Sequence, residues 1–234
     1  MNNCLVFDIW GEYGHFKKFY TTSSPLSFSF PSRTAVIGIV AAILGIDKRE
    51  YIKFFPKEET YIGIKIMNPI KKIRMGLNLI DTKKAKEFMS KIHGRTQINM
   101  ELIKDAKFRI YFSHKNPEIY QKLKYMLERH YTTYTLCLGL SECIANYEYI
   151  DELPVKKITD KNVKISSIIP YNEELKLNFE AGLAYYKEVV PNDMNTEREV
   201  LEYIKILFEK NGKGIRCNPK ECWQVGDEDY VLFL

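Results

Sequence analysis

LVFDIWGEYGHFKKFYTTSSPLSFSFPSRTAVIGIVAAILG, residues 5–45, decides how the chain is built. Residues 5–10 alternate, with Leu5, Phe7 and Ile9 on one face and Asp8 on the other, the period-two pattern of a strand. A polar, hydroxyl-rich stretch follows to Pro31. Ser32 then stands where an N-cap belongs, ahead of AVIGIVAAIL, and Gly45 stands where a left-handed residue ends a helix. This helix is apolar nearly all round, so it must be covered on more than one side. Gly38, Ala41 and Ala42 let a second backbone approach it.

The same periodicities carry on outward. Residues 61–67 alternate as a second strand, stopped by Asn68-Pro69, and 106–112 as a third. Asn116-Pro117 opens a helix on which Ile119, Leu123, Met126 and Leu127 share a face. Residues 136–140 (LCLGL) read as a fourth, buried strand. Strand–helix–strand–strand–helix–strand is the ferredoxin-like (RRM-like, βαββαβ) order of an α+β fold. The expected organisation is therefore a core unit at 1–145 and a mainly β extension at 146–234. An insert at about 69–105 interrupts the core unit, with a short helix expected over 82–92. Within 198–209, strand and helix spacings compete. A long insert inside a compact unit is usually functional.

Thirty-five basic against 30 acidic side chains give a net charge of +5 over 234 residues. Residues 1–64 carry +1, residues 65–130 carry +10, and residues 131–234 carry −6. A basic centre points to nucleic acid, and an acidic last part to basic protein neighbours. The longest apolar run, 35–46, is too short to span a bilayer, which needs about 20 residues. The first residues lack a cationic leader pattern, and five cysteines without CxxC pairs suggest reduced thiols in a cytoplasm and no metal site.

Two stretches are candidate RNA contacts. The loop 11–33 offers Tyr13, Phe16 and Tyr20 for stacking, and His15, Lys17, Lys18 and Arg33 for phosphates, with Ser32 at the helix start. A phosphate at that helix end would offset placing Arg33 against the dipole. A solvated loop with Phe28 and Phe30 tucked into the core fits the same composition. The insert adds Lys71, Lys72, Arg74 and Arg95, with Lys83, Lys84, Lys86, Lys91 and Phe88 between them. No nucleotide-binding loop, zinc-hydrolase motif or nucleophile elbow occurs. His15, Lys17 and Tyr20 are the residues that would suit metal-free RNA cleavage.

Three segments together resemble the Cas-five family of CRISPR-associated proteins, in the repeat-associated RAMP superfamily. They are residues 7–45, INMELIKDAKFRIYF at 98–112 and YTLCLGLSEC at 134–143, in the family's order. The general look is similar to the subtype I-B branch. The resemblance implies a non-catalytic subunit that caps the 5′ handle of crRNA in the Cascade complex and contacts its backbone and large subunits. Target DNA would be met only indirectly, in antiviral defence, with no cofactor, small-molecule substrate or membrane. The insert corresponds to the family's thumb. Subtype I-C members cut repeat RNA with a Tyr/Lys/His group, which keeps endoribonuclease as the alternative.

Overall fold

The computed structural model describes residues 1–21, 24–80 and 94–234. Its first elements are β1 (Asn3–Gly14), the short pair β2 (Phe16–Lys17) and β3 (Ser27–Phe28), then α1 (Arg33–Leu44). The middle of the chain forms β4 (Thr60–Ile66), β5 (Lys71–Ile80), β6 (Arg95–His114), α2 (Pro117–Glu128) and β7 (Asn146–Ile158). Short strands follow: β8 (Val163–Ile165), β9 (Ile169–Pro170) and β10 (Lys176–Leu177). The chain closes with β11 (Tyr185–Met194), β12 (Val200–Glu209), β13 (Ile215–Asn218), β14 (Cys222–Val225) and β15 (Asp229–Val231).

The central sheet runs β15-β14-β7-β1-β6-β4, all antiparallel, with β5 added on β6. Its register turns the alternation of β1 into three apolar rungs. Leu5, Phe112 and Ile62 form one; Phe7, Ile110 and Ile64 the next; Ile9, Phe108 and Ile66 the third. All are buried, and both helices close over this face. Ser32 caps α1, its Oγ accepting from the Ala35 amide, and Gly45 ends the helix at φ 76°. Asn116 caps α2 the same way through the Glu118 amide.

The opposite face of the sheet is also covered. Cys4, Val6, Tyr111, Val225 and Val231 form a second small core under the C-terminal strands. Asp8 sits there, almost fully buried, held by Arg109 at 2.7 Å and Lys107 at 3.3 Å. Asp229 binds both the Tyr111 hydroxyl, at 2.6 Å, and Lys65, at 2.7 Å.

Three expectations are corrected. Residues 136–140 are not a strand: only an isolated bridge joins Cys137 to Ile144. The chain bends at Gly139 (φ 92°), where any Cβ would run into the His15 carbonyl. The strand beside β1 is instead β7, whose half-exposed sequence NYEYIDELPVKKI carries no clean alternation. The third strand begins at Arg95 rather than 106, because residues 95–102 pair only with β5, beyond the core rungs. The helix expected at 82–92 lies outside the described residues, as do Lys83, Lys84, Lys86, Lys91 and Phe88.

The last part of the chain packs into the same core, through Val190, Ile206 and Phe208. Within 198–209, residues 200–209 settle as strand, because β12 is flanked on both sides, by β11 and β9. Two β-turn-like loops anchor this hairpin. The Glu209 carboxylate, nearly inaccessible, accepts from the amides of Ala184, Asn211 and Lys213 and from the Asn211 side chain. Burial alone would raise its pKa, but the converging donors hold it below the usual 4.5. Its stabilising effect is therefore present above the ordinary carboxylate range and is lost as pH falls through the lowered folded value. Glu209→Gln should lower unfolding stability by about 2 kcal/mol at pH 7. In urea titrations that difference should shrink steadily as the buffer is taken from pH 5 towards pH 3.

Candidate nucleic-acid interface

The β5–β6 hairpin is an arm of ten residue pairs, roughly 30 Å long at the usual rise per residue. Paired residues share a face. Lys72, Arg74, Gly76 and Asn78 lie over Ile103, Glu101, Asn99 and Gln97, and Ile80 lies over Arg95. That face is polar and cationic. The other carries Lys71, Ile73, Met75 and Leu77 against Lys104, Leu102, Met100 and Ile98. Its apolar residues lean on the core, where Met100 and Leu102 are buried.

Loop 11–31 meets the root of this arm. β2 and β3 pair Phe16 with Phe28 and Lys17 with Ser27. Phe16 is buried edge-on against Phe108, so it builds the loop from beneath. The Ser27 amide donates to Glu101 Oε1, and Lys72 Nζ reaches the Ser27 carbonyl at 2.6 Å and Glu101 at 3.2 Å. Glu188 of β11 receives Lys18 Nζ at 3.2 Å, the Ser29 hydroxyl at 3.0 Å and the Ser29 amide at 2.9 Å. Lys18 also lies over the Phe28 ring. Its pKa is raised: burial works against the charge, and Glu188 more than compensates.

The twelve residues singled out in the sequence therefore separate. Lys17, Tyr20, Arg74 and Arg95 are exposed, and Lys71 is exposed with only a 3.9 Å contact to Asp105. Tyr13 is half-buried. Lys18 and Lys72 are ion-paired at the junction. Ser32 is the buried cap of α1. His15 is 2% exposed, its Nδ1 2.7 Å from the Glu101 carbonyl and its amide donating to Leu138. The expected cleavage group is thus split, with Lys17 and Tyr20 outside and the imidazole inside.

Arg33 departs furthest from expectation. It is 0% exposed. Its guanidinium donates to the carbonyls of Asn192 and Phe55, both at 3.3 Å, with Asp193 at 3.7 Å. Burial lowers its pKa, against the pull of Asp193, Glu58 and Glu202. The acidic partner at the helix end is the protein's own Asp193.

Residues absent from the sequence reading join the surface. Phe19 is 56% and Tyr20 61% exposed, with ring centroids 5.1 Å apart, and Tyr203 of β12 lies 4.9 Å from Phe19. Charge counting had set the acidic last part apart from RNA, so Tyr203 carried no signal. Among the described residues no group of three His, Cys, Asp or Glu is placed to hold a metal ion, and no helix is long and apolar enough to cross a membrane. The thiols are shielded: burial pushes Cys4 and Cys217 up to about 12 and Cys222 to about 11.

A family model described as CRISPR-associated protein (Cas_Cas5) matches residues 4–209. The chain belongs to that family. Its fold is similar to a CRISPR protein from Archaeoglobus fulgidus, with a TM-score of 0.57 and 15% identity over 98% of this chain and 97% of that one. It is also similar to a chain of a CRISPR RNA-guided surveillance complex, at a TM-score of 0.54 and 8% identity over 91% of each. No curated protein matches the sequence significantly. In this family member, then, the basic arm and the exposed aromatic loop stand on a shared scaffold.

Arg33→Ala should cost about 3 kcal/mol or more of unfolding stability, because it leaves Asp193 and two carbonyls without their donor in a buried site. Chemical denaturation reads this. Lys17→Ala, an exposed change, should stay within about 0.5 kcal/mol in the same assay.

Proposed function

We propose that this protein is an RNA-binding, non-catalytic subunit of a Cascade-type CRISPR effector complex in the cytoplasm, capping the 5′ handle of crRNA and meeting the backbone and large subunits. The observation that carries the proposal is the cationic face of the β5–β6 arm set beside the exposed Lys17–Tyr20 loop, in a chain of this family. Cations along an extended arm track a phosphate backbone, and the rings of Phe19 and Tyr20 offer stacking surfaces for unpaired bases.

The finer assignments follow the same line. The core order β7-β1-β6-β4 with two helices on one face is taken as ferredoxin-like, and the arm as the thumb. The division at 145/146 is kept for organisation, with β7 counted in the core sheet it completes. A subtype I-B-like placement is retained from the sequence resemblance. Burial of His15 favours a binding role over repeat-RNA cleavage, since a general acid or base must reach the scissile phosphate.

Electrophoretic mobility assays with a repeat-derived 5′-handle RNA and a scrambled RNA test this. The triple variant Lys17→Ala, Arg74→Ala, Arg95→Ala should weaken handle binding and flatten its salt dependence by about two to three phosphate contacts. Equal affinity for handle and scrambled RNA in the assembled complex would reject the handle-capping role. Cleavage of repeat RNA by the purified protein in EDTA would reject the non-catalytic one.

A further inference from the structure

A cavity of about 370 Å³ opens at the root of the arm, where β5 meets the β11–β12 hairpin. One wall is aromatic: Tyr186, 49% exposed, stacks on the buried Phe208 with centroids 5.9 Å apart and planes 26° from parallel. Ile70 supplies an apolar side, and Glu188 and Ser29 a polar one. Lys210 also lines it, and so does Lys72, whose Nζ lies 3.7 Å from Glu188. The wall is firmly placed, because the Ile70 amide donates to the Lys210 carbonyl and the Lys210 amide to Ala184.

The electrostatics of the cavity are graded. An ionised carboxylate has about four lone-pair positions. Glu188 uses three, for Lys18 and the two donors of Ser29. Lys72 adds a 3.7 Å ion pair to the same Oε1, so the acceptor position that remains is on Oε2, beside a flat aromatic surface. Lys210 has no ion pair among the described residues. Glu188 is already paired by Lys18 and Lys72, which leaves Lys210 as the lining cation open to a phosphate among the described residues. The interior instead suits a flat group that donates a hydrogen bond.

We infer that this cavity is a single-nucleotide pocket for an unpaired RNA base carrying an exocyclic amino group, stacked on Tyr186 and donating to Glu188, with a flanking phosphate at Lys210. This inference rests on the RNA-binding reading above and names the base chemistry at one position. Adenine and cytosine present an exocyclic amino group, whereas uracil's one donor, its ring N3–H, is flanked by two carbonyls that face Glu188 unfavourably.

Fluorescence anisotropy with labelled oligoadenylate, oligocytidylate and oligouridylate eight-mers tests it on the full chain. Adenylate and cytidylate should bind about tenfold tighter than uridylate, and Tyr186→Leu should cost about tenfold for the first two, the size of one base–aromatic stack. Tyr186→Phe should retain binding, since the ring does the stacking. Glu188→Gln, checked for an unchanged melting temperature, should bring uridylate closer to the others. If Tyr186→Leu binds as the wild type does while Lys17→Ala with Arg74→Ala weakens binding, the pocket is wrong and RNA binding stands. If no oligonucleotide binds, the pocket and the RNA-binding reading fail together.

Discussion

A guanidinium with no access to water joins three separate parts of the chain. Arg33 enters from the first turn of α1, where the helix dipole works against a cation. Its charge is tolerable there only because Phe55 and Asn192 turn their carbonyls to it and Asp193 stands close by. The consequence is positional. The β11–β12 hairpin must lie against α1, which brings Glu188 under Ser29 and beside Lys18 and Lys72. The junction between loop and arm is therefore built around two carboxylates, Glu101 of the arm and Glu188 from the far end of the sequence.

This arrangement reinterprets the uneven charge. The acidic last part is not simply the surface opposite a basic one. Two of its carboxylates, Glu188 and Glu209, are structural: one organises the loop and the arm root, the other ties the 211–213 turn. Among the described residues, the exposed cations Lys17, Arg74 and Arg95 form no ion pair. Pairing the inner lysines and leaving the outer cations open separates holding the arm from meeting a polyanion.

Legibility in the sequence followed burial. The three apolar rungs, the Ser32 cap and the Gly45 end of α1 could all be read from residue pattern, because one-sided burial and left-handed geometry leave strong local signals. β7 and the first half of β6 could not, since a strand exposed on one face and paired at its edges is chosen by its neighbours. At the site, Lys17, Tyr20, Arg74 and Arg95 were visible as surface chemistry. The burial of Arg33 and His15 was not legible, because their partners, Asn192, Asp193 and the Glu101 carbonyl, are distant in sequence. Tyr186 and Tyr203 went unnoticed because they lie in the acidic last part, which charge counting set apart from RNA.

The central claim is that the cationic face of the arm and the 17–20 loop form one RNA surface. Ultraviolet crosslinking of the protein to a 5′-handle RNA, followed by mass spectrometry of the linked peptides, tests it most directly. Crosslinks should map to Phe19 or Tyr20 and to peptides from β5 and the first half of β6 in the same sample. Crosslinks confined to the outer face of α2 or to the β13–β15 strands would contradict it.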